Sequence, residues 1–242
     1  MRYLIAIDDT DNLESRGTGH RARQMAEALM QMGLAQPLGI TRHQLLVSPE
    51  IPYTSHNSSA CLLFEAEPEK EAEIWQACCD FLLRESAPGS DAGLCIAQWE
   101  TVSAQVQAFG LRAKQVVLTQ LEAEQTALDN GIRLQGLTGT HGGIIGALAG
   151  VGLHHAGNDG RFLWLPGLRE LSGILPASEI CANGHVDCIR PLDGSQLPPE
   201  TLVNVGEWVR PILRNNQATL FVEEQNHEWH ILSKERIKSL SN

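Results

Sequence analysis

Asp8, Asp9 and Asp11 place three carboxylates within four positions of the chain. Charges that close repel unless they are protonated, hydrogen-bonded or neutralised by a cation. Hard oxygen donors favour Mg²⁺, which commonly takes one or two carboxylates together with phosphate oxygens. The pattern therefore points to a Mg²⁺–phosphate site with Asp8, Asp9 and Asp11 as metal-ligand candidates, at most one of them free to act as a base. The alternative reading is that Asp9 and Asp11 cap turns and a helix. A second segment with chemical potential is Leu137 to Gly150, in which Gly139, Gly142 and Gly143 precede a Gly- and Ala-rich helical run. Glycines let backbone N–H groups approach a phosphate, and a helix N-terminus adds a favourable dipole. Thr138 and Thr140 are hydrogen-bond donor candidates there. The segment has neither Gly-Lys-Ser/Thr nor the Gly-x-Gly-x-x-Gly spacing, and its alternative reading is a helix kept slim for close packing. His20 and His43 are candidate proton-transfer groups or structural histidines, and Arg161 and Arg169 are candidate phosphate contacts or surface residues. The adjacent His154 and His155 cannot point the same way, which argues against a two-histidine metal pair.

The elements that must position these groups are legible from periodicity. Arg2 to Ile7 is an apolar run of strand length that stops at the aspartates. Asn12 to Gly19 is a linking loop with Gly17-Thr18-Gly19 at its end. A helix is predicted over 20–32, with Ala22, Met25, Ala26, Leu29 and Met32 on one face. In open α/β sheets ligands sit outside the carboxyl ends of strands, near helix N-termini. Further strands are expected at 38–48, 60–66, 94–98 and 132–135, and helices at 68–85, 102–114 and 120–129. This alternation predicts an α/β or α+β body. Pro191, Gly194, Pro198 and Pro199 mark a composition shift near residue 190. The expected organisation is a body over 1–190 and a β-rich segment over 191–242, with strands at 202–209, 218–223 and 228–232 forming a small barrel or an added sheet.

Composition narrows the function classes. A net charge of −11 disfavours a broad basic face for RNA, though a local patch survives that argument. No apolar run is long enough to cross a bilayer, and no signal-peptide pattern opens the chain. None of the six cysteines forms a C-x-x-C pair, so a structural zinc site is not expected. Reduced thiols and a cytoplasmic location are expected instead. The sequence leaves oligomerisation open.

Ile5-Ala6-Ile7-Asp8-Asp9-Thr10-Asp11, the Pro52-to-Asn57 stretch and the Gly142-to-Gly152 run resemble the archaeal tRNA(Ile) agmatinylcytidine synthetases. That family uses ATP and Mg²⁺ to activate a cytidine carbonyl by phosphorylation, and agmatine then displaces the phosphate. The resemblance implies a kinase-like domain carrying the Asp-Asp-Thr-Asp motif with ferredoxin-like elements, placed at about 66–135. It further implies that Asp8, Asp9 and Asp11 hold Mg²⁺, with Thr18 near the γ-phosphate. Thr10, Gly17 and Gly19 would lie against the nucleotide, and the Gly139-to-Gly146 loop would cover part of the nucleotide or acceptor site. The sequence departs from the family where Asn12 to Gly19 replaces Ser-Pro-x-Gly-Met-Cys-Thr-Thr. It departs again where Tyr53-Thr54-Ser55-His56-Asn57 replaces Lys-Thr-Arg-Gly-Asn, which removes two cations. No zinc-ribbon cysteine set is present. These features imply a short stand-alone relative whose acceptor has changed.

The function expected from the sequence is an ATP- and Mg²⁺-dependent phosphotransferase or ligase-like enzyme acting on a small-molecule or nucleoside acceptor. Two alternatives are a non-catalytic nucleotide- or metabolite-binding module and a tRNA-modifying enzyme. The last would draw its RNA contacts from Arg16, Arg21, Arg23 and Arg42.

Overall fold

β1 (Arg2–Asp8) is buried from Tyr3 onward, and its side chains alternate between two covered faces. Tyr3, Ile5 and Ile7 point one way, and Leu4, Ala6 and Asp8 the other. A computed structural model describes residues 1–51 and 56–241. The chain divides into two units, Met1–Ala156 and Gly157–Asn242.

In the first unit β1 is followed by α1 (Thr18–Gln31), β2 (Gln36–Gln44), β3 (Ser58–Glu65), α2 (Glu71–Glu85) and β4 (Gly93–Gln98). Then come α3 (Ala104–Arg112), α4 (Gln120–Asp129), β5 (Arg133–Gly136) and α5 (Ile144–Ala156). The strands lie in the order β5-β4-β1-β3-β2, each pair antiparallel. The fold is α+β. Its first six elements run β-α-β-β-α-β with β4-β1-β3-β2 order, the split arrangement of ferredoxin-like sheets. That arrangement occupies residues 2–98 rather than the expected 66–135, because β1 and β3, far apart in sequence, pair at the centre. Leu4, Ala6, Cys61 and Cys95 on one sheet face join Val106, Phe109, Leu148 and Val151 of α3 and α5 in one core. Each large apolar side chain buried there contributes roughly 1.5–3 kcal/mol relative to exposure. Helices α1 and α2 contact the strands β2, β3 and β4. α4 begins with a capping box between Thr119 and Glu122.

The second unit contains β6 (Arg161–Trp164), β7 (Ile174–Pro176), α6 (Ala177–Gly184), β8 (Cys188–Pro191) and β9 (Leu202–Asn204). It continues through β10 (Ile212–Arg214), β11 (Gln217–Gln225), β12 (Glu228–Ile231) and α7 (Lys234–Ser241). β11 pairs antiparallel with β10 and β12 and parallel with β8. The turns around β11 are two-residue hairpins: Asn215 and Asn216, then Asn226 and His227, all have positive φ. Such turns match the right-handed twist of their strands. The tail is thus a sheet with flanking helices. The boundary falls at 156/157, ahead of the composition shift near 190, because Pro191 closes β8 opposite Val222. The proline cluster is a loop within this unit. Among the described residues no helix is long and apolar enough to cross a membrane, and all six cysteines are free.

Candidate functional site

Asp8 ends β1 on the face covered by α5. Its carboxylate accepts the Asp9 N–H at 2.9 Å, and it is buried. A Cβ at Gly146 of α5 would overlap that carboxylate, so only glycine lets the helix backbone sit on it. Burial, followed by the negative charges of Asp9 and Asp11, pushes the Asp8 carboxyl up to about 7, against the Asp9 N–H and the Arg42 charge. Asp9 turns the chain sharply with φ 51°, a left-handed conformation uncommon outside glycine. Burial and then the charges of Asp91 and Asp11 raise its carboxyl to about 6, although it accepts the Asp91 N–H.

The loop after Asp9 closes onto α1. Thr10 is fully buried, its carbonyl accepts the Ala87 N–H at 3.0 Å, and its hydroxyl donates to Thr18 Oγ1 at 3.2 Å. Thr18 in turn donates to Asp11 Oδ1 at 2.8 Å. α1 begins at Thr18 with Gly17 as N-cap, so Thr18 and Gly19 lie in its first turn rather than in the loop before it.

The glycine segment is fastened to residues 90–92. The Thr140 N–H donates to Asp91 Oδ1 at 2.6 Å and the Gly143 N–H to the Asp91 carbonyl at 2.9 Å. Thr138 Oγ1 donates to the Ser90 carbonyl at 2.7 Å and accepts the Ala92 N–H at 2.8 Å. Gly139 has φ 55°, and a Cβ there would overlap the Asp91 carboxylate. Thr138, Thr140 and Gly143 are thus engaged within the protein, while Gly142 lies between the two amides that Asp91 holds. Asp91 is the site residue that sequence reasoning missed. Its setting, Pro88-Gly89-Ser90-Asp91-Ala92-Gly93, reads as a turn, and nothing local marks that carboxylate as different from a turn former.

The structure brings Asp8, Asp9 and Asp91 together under the glycine segment, with Asp11, Thr10 and Thr18 beside them. Among the described residues no group of three or more His, Cys, Asp or Glu side chains is arranged to hold a metal ion. The three sequence aspartates therefore do not form a ready-made three-carboxylate cage, because Asp11 turns to the Thr18 hydroxyl and Asp9 to the Asp91 amide. Buried Asp8 and half-buried Asp9, each raised by burial and by neighbouring carboxylates, offer hard oxygens that fit a Mg²⁺ drawing its other ligands from phosphate and water.

Several cations border this region. Arg16, Arg21 and Arg23 act together on His20, whose pKa is lowered by burial and then by those charges. Arg21 lies 3.6 Å from Glu85. Arg42 donates to Ser58 Oγ at 2.9 Å. His43 is fully buried. Arg161 is buried within the second unit, where it donates to Ser241 at 3.4 Å, and Arg169 is exposed on that unit. Pro52, Tyr53, Thr54 and Ser55, which carry part of the family resemblance, lie outside the described residues.

No family model matches the chain. It is 31% identical over 158 residues to the uncharacterized protein MJ0921 of Methanocaldococcus jannaschii, covering 64% of this chain and 51% of that one. Its fold is similar to that of apo TiaS, an isoleucine-tRNA agmatidine synthetase, with TM-score 0.54 and 24% identity over 63% of this chain and 35% of the other. A structure described as a tRNA fluorescent labeling enzyme matches at TM-score 0.54 and 25% identity, over 63% of this chain and 36% of that one. The complex of TiaS with its tRNA and ATP matches at TM-score 0.54 and 24% identity, over the same shares. The chain thus spans about half the length of the curated relative and about a third of the solved chains.

Proposed function

We propose that this protein is an ATP- and Mg²⁺-dependent, ligase-like enzyme that acts on a nucleoside of an RNA. The observation that carries the reading is the pair of adjacent carboxylates at the end of β1, buried Asp8 under the glycine segment and half-buried Asp9 beside it, both raised by burial and by neighbouring carboxylates. The fold's similarity to a TiaS complex that contains tRNA and ATP supports the choice of cosubstrate and acceptor class.

Asp8 and Asp9 would hold the Mg²⁺. When bound, the ion supplies neutralisation of phosphate charge, the main requirement of phosphoryl transfer. Asp91 anchors the glycine segment and, through its N–H, orients Asp9. Thr18, in the first turn of α1, holds Asp11 through its hydroxyl and would have to exchange that bond to reach a phosphate at the helix N-terminus. Arg16, Arg21 and Arg23 supply local positive charge beside an otherwise acidic chain, so RNA contacts would be confined to that rim. The net charge of −11 favours a second reading, in which the acceptor is a free nucleoside or another small molecule.

Calorimetry of ATP with and without Mg²⁺, followed by tRNA binding across a salt series, tests both. Mg²⁺-dependent ATP binding with salt-sensitive tRNA binding supports the RNA reading. ATP binding with no tRNA binding at low salt moves the acceptor to a small molecule. No ATP binding under either condition removes the enzyme assignment.

A further inference from the structure

We infer that Thr41 and His154 are positioning residues that fix where α5 lies along the sheet, and through it hold the glycine segment over Asp8. α5 turns Gly146, Gly150 and His154 toward the same sheet face, at four-residue spacing. Gly146 meets Asp8, and Gly150 meets Ser59 and Ala6. At the third position His154 Nδ1 lies 2.7 Å from Thr41 Oγ1. The same oxygen is 2.8 Å from His43 Nε2 and 3.3 Å from the Cys61 carbonyl. Thr41 and His43 are fully buried and His154 is 3% exposed.

The hydrogens settle part of the arrangement. Thr41 has one hydroxyl hydrogen and three neighbours, and the Cys61 carbonyl can only accept. If the hydroxyl donates to Cys61, both rings donate to Thr41; if it donates to one ring, the other ring donates to it. In each case strand β2 and a histidine share a directional bond in a dry setting, where leaving a partner unmade is costly.

At its start α5 is seated on the sheet by the close backbone approach of Gly93 of β4 to Gly143 and Ile144; beyond that start little else sets axial position. Two of the three seats are glycines, which carry no side chain to interlock, and apolar burial is non-directional. The close approach of Gly110 and Gly152 ties α5 to α3, not to a strand. A one-residue register shift, about 1.5 Å of rise with about 100° of rotation, would bring the Cβ of Ile145 or Ala147 toward the Asp8 carboxylate. It would also pull on the bonds from Thr140 and Gly143 to Asp91, since the glycine segment runs directly into α5.

The positioning claim stands apart from the ATP reading; only its consequence for ATP rests on that reading. Hydrogen exchange tests it in the wild type, Thr41→Val and Thr41→Ser, with Mg²⁺-ATP affinity measured on the same proteins. In Thr41→Val, the amides of Thr140, Gly143 and residues 144–150 should exchange at least tenfold faster while β1 and β3 stay protected. Thr41→Ser, which keeps the hydroxyl, should restore wild-type protection. Unchanged exchange in Thr41→Val, or a uniform rise through all strands, overturns the inference. If Thr41→Val does not fold, His154→Asn against His154→Leu gives the same comparison. Selective loosening with unchanged nucleotide affinity upholds the lock and counts against the ATP reading instead.

Discussion

Gly146 sits so close to the Asp8 carboxylate that even a methyl group on its Cα would overlap it. A glycine within a helix costs up to about 1 kcal/mol relative to alanine, so Gly146, in the first turn of α5, trades helix propensity for contact with the strand end. Gly146→Ala should therefore destabilise the protein, by about 1–3 kcal/mol, despite alanine's better propensity. Urea unfolding measures the loss. Adding Asp8→Ala should recover part of it, since neighbouring substitutions couple. Purely additive losses would mean that the two residues do not meet.

Asp8 gives a pH signature. Its carboxyl is raised to about 7 by burial first and by Asp9 and Asp11 after that. Between about pH 4 and 7 the folded state holds this proton more tightly than the unfolded chain. The stability it contributes is therefore present at low pH and lost as pH rises through 7. Asp8→Asn should be more stable than the wild type at pH 8, on the order of 2–4 kcal/mol, and no more stable at pH 4. Thermal unfolding at both pH values reads the difference. The same variant, like Asp9→Asn, should abolish Mg²⁺-dependent ATP binding with the fold intact.

Asp91 is testable without reference to metal. Its carboxylate accepts the Thr140 N–H at 2.6 Å, while its carbonyl keeps the Gly143 bond in any variant. Asp91→Ala should cost about 1–3 kcal/mol and weaken ATP binding. Asp91→Asn retains an acceptor and should keep most of both. Equal losses in the two variants would assign the effect to charge rather than to the loop bond.

The arginine rim makes a salt-dependence prediction. If Arg16, Arg21 and Arg23 contact RNA phosphates, replacing all three with alanine should lower the log–log salt slope by roughly 2–3. Filter binding of tRNA from 50 to 200 mM salt measures it. A slope that does not move would exclude this face.

The sequence alone determined the parts that depend on neighbouring residues. β1 was legible as an apolar run ending at Asp8, and the first helix, the second helix and α4 followed from their periodicity. The Asp-Asp-Thr-Asp run marked one side of the candidate site. In the tail, the strands at 217–225 and 228–231 were legible near their true bounds. The short β10 was not, since three residues carry no period and Asn-Asn is a weaker turn signal than Asn-Gly.

Tertiary structure decided what depends on distant residues meeting. It placed β3 between β1 and β2, moved the domain boundary to 156/157, and brought Asp91 to Thr140 across 49 positions. It separated the roles of three aspartates that look equivalent in sequence: Asp8 lies under α5, Asp9 on the Asp91 amide, and Asp11 on Thr18. Whether a carboxylate is buried, and what it then faces, follows from which backbone packs over it. For Asp8 that is a helix that begins 136 positions later, and no local pattern encodes that approach.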